Sequence, residues 1–112
     1  MEMQLSDVGT VRKIVLAGRL DTTGVDHVET KFGAAIVPGG KATVVDLTQV
    51  SFLASMGIRM LITTTRALSR KGAKLAIYGA MPGVMEVIET TALSDIIPVA
   101  GTESEAIAIV TG

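Results

Sequence analysis

No cysteine occurs in the 112-residue chain, which excludes disulfide staples, thiol catalysis and thiolate metal ligation together. The single histidine, His27, cannot build an imidazole-rich metal centre, and its expected place is a solvated helix surface. Aromatic residues make up 3%, so the core has to be assembled from Val, Ile, Leu, Ala and Met. With a net charge of −1 and no basic run, the chain lacks the Lys/Arg footprint of a nucleic-acid binder or of an electrostatic membrane binder. No apolar run approaches the about 20 residues that span a bilayer, so no membrane insertion is expected. The opening residues Met1 to Asp7 have neither the charged nor the apolar region of a signal peptide. Phosphate-cradling GxxxxGKS and GxGxxG loops are missing as well, and no cofactor is expected. A hydrophobic fraction of 48% against 19% charged in this length gives one core and one domain, residues 1–112, expected in the cytoplasm.

What is present is a regular alternation of patterns. Met3–Val8 and Val11–Leu20 read as strands joined at Gly9-Thr10, a hairpin, with Ile14-Val15-Leu16 as a run covered on both faces. Asp21, Thr22 and Thr23 offer N-caps to a helix carrying Val25, Val28, Phe32, Ala35 and Ile36 at helical spacing, which Pro38-Gly39-Gly40 stops. A β-branched run from Ala42 to Leu47 passes through a polar link, Thr48-Gln49, into a second apolar step, Val50 to Leu53. The period then changes. Ile58, Leu61, Ile62, Thr65 and Leu68 recur at i, i+3, i+4, i+7 and i+10, the buried stripe of an amphipathic helix ending at Arg70-Lys71-Gly72. Lys74–Tyr78 is a further strand, Met81-Pro82 opens a helix with stripe Val84, Val87, Ile88 and Thr91, and Leu93-Ser94-Asp95 breaks it. Ile96–Val99 reads as a short edge strand because of Pro98, and Thr102 with Glu105 as a capping box for a last helix, Ala106–Val110. The order β-β-α-β-α-β-α-β-α predicts an α/β fold: a mostly parallel, mixed sheet of about five strands with about four helices packed on it.

The centre of this layout is Ser55, delivered by a buried strand to the first turn of a helix. The residue type alone makes it an N-cap. No base accompanies it in sequence, so a hydrolase is not expected and no catalytic residue is assigned. Asp21 and Asp46 fit capping and the satisfaction of loop amides. Gly57 permits a close approach of the helix start to another backbone, its own strand or a partner's. Met56, Arg59, Met60 and Thr63 fall opposite the apolar stripe, with Met56 and Met60 as adaptable contact surface. Met81 and Met85 repeat that spacing on the next helix.

Three stretches resemble the STAS domain: Gly18-Arg19-Leu20-Asp21, the segment Val44–Ile58, and Lys74–Gly79 followed by an apolar helix and Thr91–Ile97. The resemblance runs over nearly the whole chain and rests on the ordered set. It implies a sheet covered by helices mainly on one face, and the role of a bacterial anti-sigma-factor antagonist. Such a protein, unphosphorylated, binds an anti-sigma factor that is also a serine kinase. Phosphorylation at the position matched by Ser55 breaks the complex, and a phosphatase restores it. Asp21, Asp46, Ala54, Met56, Gly57, Arg59 and Met60 are then the expected partner contacts, with Asp21 and Asp46 near the turn. The chain departs from the pattern at Ala54, where an aspartate is usual, and at Met56, where a second serine or threonine is common. A scaffold that does not switch, a transporter-associated STAS subunit and a nucleotide-binding protein are the alternatives.

Overall fold

A computed structural model describes residues 1–112. The hairpin expected at the start forms: β1 (Glu2–Val8) pairs antiparallel with β2 (Val11–Leu20). Helix α1 (Thr22–Ile36) follows, then β3 (Thr43–Leu53), α2 (Ser55–Ser69), β4 (Leu75–Tyr78), α3 (Pro82–Thr90), a 3₁₀ turn (Leu93–Asp95), β5 (Val99–Ala100) and α4 (Glu103–Thr111). The strands lie side by side in sequence order, β1-β2-β3-β4-β5, and all pairs after the first are parallel.

That order decides where the helices go. Each parallel crossover is right-handed, and from β2 to β5 every crossover steps in the same direction across the sheet. α1, α2 and α3 are therefore forced onto one face, where Val25, Phe32, Leu61, Leu68 and Ile88 close a twenty-residue core over Ile14, Leu16, Val45 and Ile77. Only α4, which follows the last strand, is free to fold back over the other face. It does so with Ala106 and Val110 against Val11, Val44, Ala76, Tyr78 and Ala100, a second and smaller core. Alternation along β3 feeds both, Val44 to one face and Val45 to the other.

Four local expectations are corrected. First, the polar link Thr48-Gln49 does not interrupt the central strand, which is continuous over 11 residues. Its register against β2 slips twice, because β3 spends three steps (Asp46 to Gln49) where β2 spends two (Val15 to Ala17), and two (Val50 to Phe52) where β2 spends one. Each extra residue is a bulge that flips the side-chain alternation. The two together keep Leu47, Val50 and Leu53, three residues apart, on the same buried face.

Second, the buried stripe of α2 is Gly57, Met60, Leu61, Thr64 and Leu68, rotated by roughly 75° from the one read off periodicity, taking 100° per residue. Ile58, Ile62 and Thr65 are only partly buried. α2 packs sideways on α1 as well as down on the sheet, and a lateral neighbour turns the optimum face toward it. Third, Val15 is half-buried while Ile14 and Leu16 are inaccessible, because the small core under α4 takes in Val11 at the start of β2 but not Val15. Fourth, Ile96 and Ile97 precede the last strand rather than forming it. Ile97 plugs the larger core, and Pro98, lacking an N–H, offers its carbonyl to Ile77 N at 3.0 Å.

The Tyr78 hydroxyl is buried near the Asp46 carboxylate, but no acceptor or donor meets it at hydrogen-bonding distance and angle. Burial first, and the nearby Asp46 and Glu103 carboxylates second, push its ionisation above the usual tyrosine range. An orphaned buried hydroxyl costs about 1–3 kcal/mol. Replacing it by hydrogen in Tyr78→Phe therefore leaves stability unchanged or raises it by about 1 kcal/mol. Urea denaturation checks this; a loss above that size would show that the hydroxyl is bonded.

Candidate functional site

β2 and β3 end together, Leu20 opposite Leu53, and the helices that follow them start side by side. The junction is tied by Ala54 N–H donating to Leu20 O at 3.0 Å. Gly57 settles against this protein's own strand: a Cβ there would lie 2.9 Å from both Leu20 O and Leu53 Cδ1. It is buried and faces inward, so the close approach it permits is internal.

Ser55 is exposed and is the first residue of α2. It is not the N-cap. That position belongs to Ala54, extended at φ −106° and ψ 174°, and no side chain caps the helix. The first-turn amides are thus left to solvent or to an incoming acceptor, and the positive end of the helix dipole is unopposed because the first turn holds no acid. Restoring an acidic cap with Ala54→Asp should stabilise the domain by about 1 kcal/mol, seen as a higher midpoint in thermal denaturation; no gain would mean that these amides already have partners.

Asp21 stands at the matching point of α1 and does act as a cap: Oδ1 accepts from Gly24 N–H at 2.9 Å and Oδ2 from Arg19 Nε at 3.2 Å. The Gly24 amide, then Arg19, hold its carboxyl below the usual 3.8. A depressed folded-state value stabilises the fold above the unfolded value, and that contribution disappears as pH falls through the folded one. Arg19 in turn lies 4.3 Å from the centroid of the Phe52 ring, a cation–π contact. Phe52 is 41% exposed. Sequence reasoning missed both residues, since Phe52 sits in an apolar step that reads as buried. The signal was the three-residue spacing of Val50 and Leu53, which leaves Phe52 outside the core set.

Asp46 does not join this cluster. It lies seven residues before the Leu53 end of β3, on the order of 20 Å away at about 3.3 Å per residue, and on the face that carries Val44 and Tyr78. There Oδ1 accepts from Thr48 N–H at 2.8 Å and Thr48 Oγ1 at 2.6 Å, fixing the first bulge. His27 is also elsewhere, on the β1 side of α1 beside Met1, Met3 and Lys31.

Between α1 and α2 runs a groove of about 350 Å³, its walls including Glu29, Gly33 and Val37 on one side and Met56, Arg59, Thr63 and Ala67 on the other. Met56 is half-buried and Arg59 exposed, as an outward face requires, but Met60 is 4% exposed and belongs to the core beneath the groove. Met81, at the start of α3, is exposed, and neither it nor Met85 lines this groove.

The STAS domain model matches residues 2–106. The chain belongs to the STAS family. Among relatives of this STAS domain, the anti-sigma-B factor antagonist of Listeria monocytogenes is 28% identical over 92 residues, 82% of this chain and 81% of the relative. The solved anti-sigma factor antagonist from Mycobacterium paratuberculosis superposes with a TM-score of 0.90 at 25% identity, covering 99% of this chain and 94% of that one. The anti-sigma factor antagonist SpoIIAA in its unphosphorylated form gives 0.75 at 25% identity, covering 96% and 95%. The mixed five-stranded sheet with its helices mainly on one face is the architecture of these antagonists. No helix of the domain is long and apolar enough to cross a membrane.

Proposed function

We propose that this STAS domain is an anti-sigma-factor antagonist acting in transcription regulation in the cytoplasm. It binds an anti-sigma factor that is also a serine kinase, through the end of the molecule where α1 and α2 begin, and phosphorylation of Ser55 switches it off. The observation that carries this reading is the exposed, uncapped Ser55 at the tip of α2, in a family whose relatives include antagonists. Ser55 Oγ attacks the γ-phosphorus of kinase-bound ATP, its proton passes to a base of the kinase, and ADP leaves as the bond from the γ-phosphorus to the bridging oxygen breaks. The product phosphate meets free amides and the positive end of a helix dipole, so the fold tolerates it while the docking surface gains about −1.5 to −2 charge. A phosphatase restores the hydroxyl by hydrolysis, water attacking the phosphoserine and inorganic phosphate leaving.

The domain itself acts by binding and not by catalysis. This reading is supported by the place of His27 on the other side of α1 and by the engagement of Asp21 with Gly24 and Arg19, which leave neither offered to Ser55 as a base. Incubation with ATP and the serine-kinase anti-sigma factors of the source organism tests the reading by intact mass. One phosphoryl group should be added to the wild type and none to Ser55→Ala. Modification of another residue, or of none, would overturn it.

A further inference from the structure

The charges of this domain are sorted along the chain. Between Asp46 and Glu86 there is no acidic residue, while Arg59, Arg66, Arg70, Lys71 and Lys74 fall in that span; beyond Lys74 there is no basic residue, while Glu86, Glu89, Asp95, Glu103 and Glu105 follow. The cations are concentrated on α2 and its C-terminal end. At 100° per residue, Ser55, Arg59, Arg66 and Arg70 project within about 60° of one another, so they form one stripe, and all four are exposed. The ion pairs of the domain are Arg12–Asp7, Lys13–Glu103 and Arg19–Asp21. Arg59, Arg66 and Arg70 therefore have no internal counter-charge.

The stripe borders the groove between α1 and α2, whose apolar lining is Val37, Met56, Met60 and Ala67. Across it, Glu29 makes the α1 wall acidic. An anionic membrane would need projecting apolar side chains to insert, whereas here the apolar atoms are recessed, Met60 being 4% exposed. A recess between two helices with cations on one rim fits a protein segment that lowers a side chain into it and presents carboxylates to one side.

We propose that this face takes an acidic amphipathic segment of the partner, one apolar side chain seated over Met56 and Met60 and its carboxylates set on Arg59 and Arg66. The proposal rests on the reading of the partner as an anti-sigma factor and names the chemistry of its contact. It also supplies a route for the switch. Ser55 is one turn N-terminal to Arg59, the i,i+4 spacing with the anion first that favours pairing. A phosphate on Ser55 draws Arg59 to itself and repels the same carboxylates.

The test is calorimetric binding of the unphosphorylated domain to each purified serine-kinase anti-sigma factor of the source organism, at low and moderate salt. Arg59→Glu combined with Arg66→Glu should weaken binding about tenfold or more and flatten its salt dependence. The domain should stay folded with its thermal midpoint lowered by no more than a few degrees, since both side chains are exposed and only Arg66 lies in the last turn of α2. Glu86→Lys with Glu89→Lys, on α3, should leave affinity within about twofold. Wild-type binding that the arginine reversal does not weaken overturns the acidic-segment proposal and leaves the antagonist reading standing. A wild type that binds none of these factors overturns both. Association of the wild type with phosphatidylserine vesicles in place of a protein overturns the proposed partner as well.

Discussion

Gly24→Ala will destabilise this domain by about 3 kcal/mol or more, although alanine is the better helix former by about 1 kcal/mol. Gly24 lies in the first turn of α1, and a Cβ there would be driven into the carbonyl oxygen of Arg19 and approach Arg19 C at 3.1 Å. Both partners are backbone atoms held in the β2–β3 ladder, so neither can swing aside as a flexible side chain would. The helix start has to move outward, which also pulls the Gly24 amide from the Asp21 carboxylate that caps it. For a domain of this size about 3 kcal/mol is a fall in Tm of at least 10 °C or so.

Gly33→Ala provides the contrast within the same helix. Nothing lies within 4 Å of the point its methyl would occupy, and it should gain about 0.5–1 kcal/mol. Gly57→Ala should fall between the two, losing about 1–3 kcal/mol, since its methyl would meet Leu20 O and Leu53 Cδ1 at 2.9 Å. Thermal unfolding of the three variants gives the order directly. If Gly24→Ala melts with the wild type, α1 does not rest on the end of β2 as described.

Ser55→Asp, or phosphorylated Ser55, will separate stability from binding. The substitution adds negative charge at the first position of a helix with no side-chain cap and no acid in its first turn, so the folded domain should be as stable as the wild type or more stable by about 0.3–1 kcal/mol. Affinity for the anti-sigma factor should instead fall about a hundredfold on phosphorylation, roughly 3 kcal/mol, since a charge buried without its complement at an interface costs about 2–5 kcal/mol. The single charge of aspartate should produce a smaller loss. Ser55→Ala should bind like the wild type. Calorimetric binding and thermal melts on the same preparations decide it: equal affinity of wild type and phosphorylated protein, with the phosphate confirmed by mass, would sink the switch while leaving docking intact.

These two effects come from one piece of architecture. Glycines at the starts of α1 and α2 let both helix N-termini close onto the ends of β2 and β3, which puts Asp21, Phe52 and Ser55 at one end of the molecule. Asp21 uses its carboxylate on its own helix. α2 has Ala54 in the equivalent place and leaves its amides free. The difference between a capped and an uncapped neighbour is what makes Ser55 the available member of the pair.

Much of this was legible in the chain alone. Hydrophobic periods of two and 3.6 placed the strands and helices, because burial of one face imposes those periods on the sequence. Asp21 as a cap, Thr102 as a cap and Gly72 at a positive φ of 83° follow from local backbone chemistry, which a short window contains. The strand–Ser55–helix layout and the ordered motifs of the STAS domain were equally visible.

Tertiary structure decided what depends on neighbours remote in sequence. The inward turn of Met60 and Thr64 required α1 alongside α2, since periodicity fixes the width of an apolar stripe better than its direction. The bulges at Thr48 and Ser51 required β2 as a ruler, because a slip in register exists only relative to a partner strand. Asp46 parted from Ser55 because a continuous strand carried it away, where a polar link would have folded it back. Gly57 was open to either a partner or its own strand until Leu20 O came within reach. Distance along the chain set the elements; distance through space set which atoms face each other, and the proposed docking face of this domain is made of the second kind.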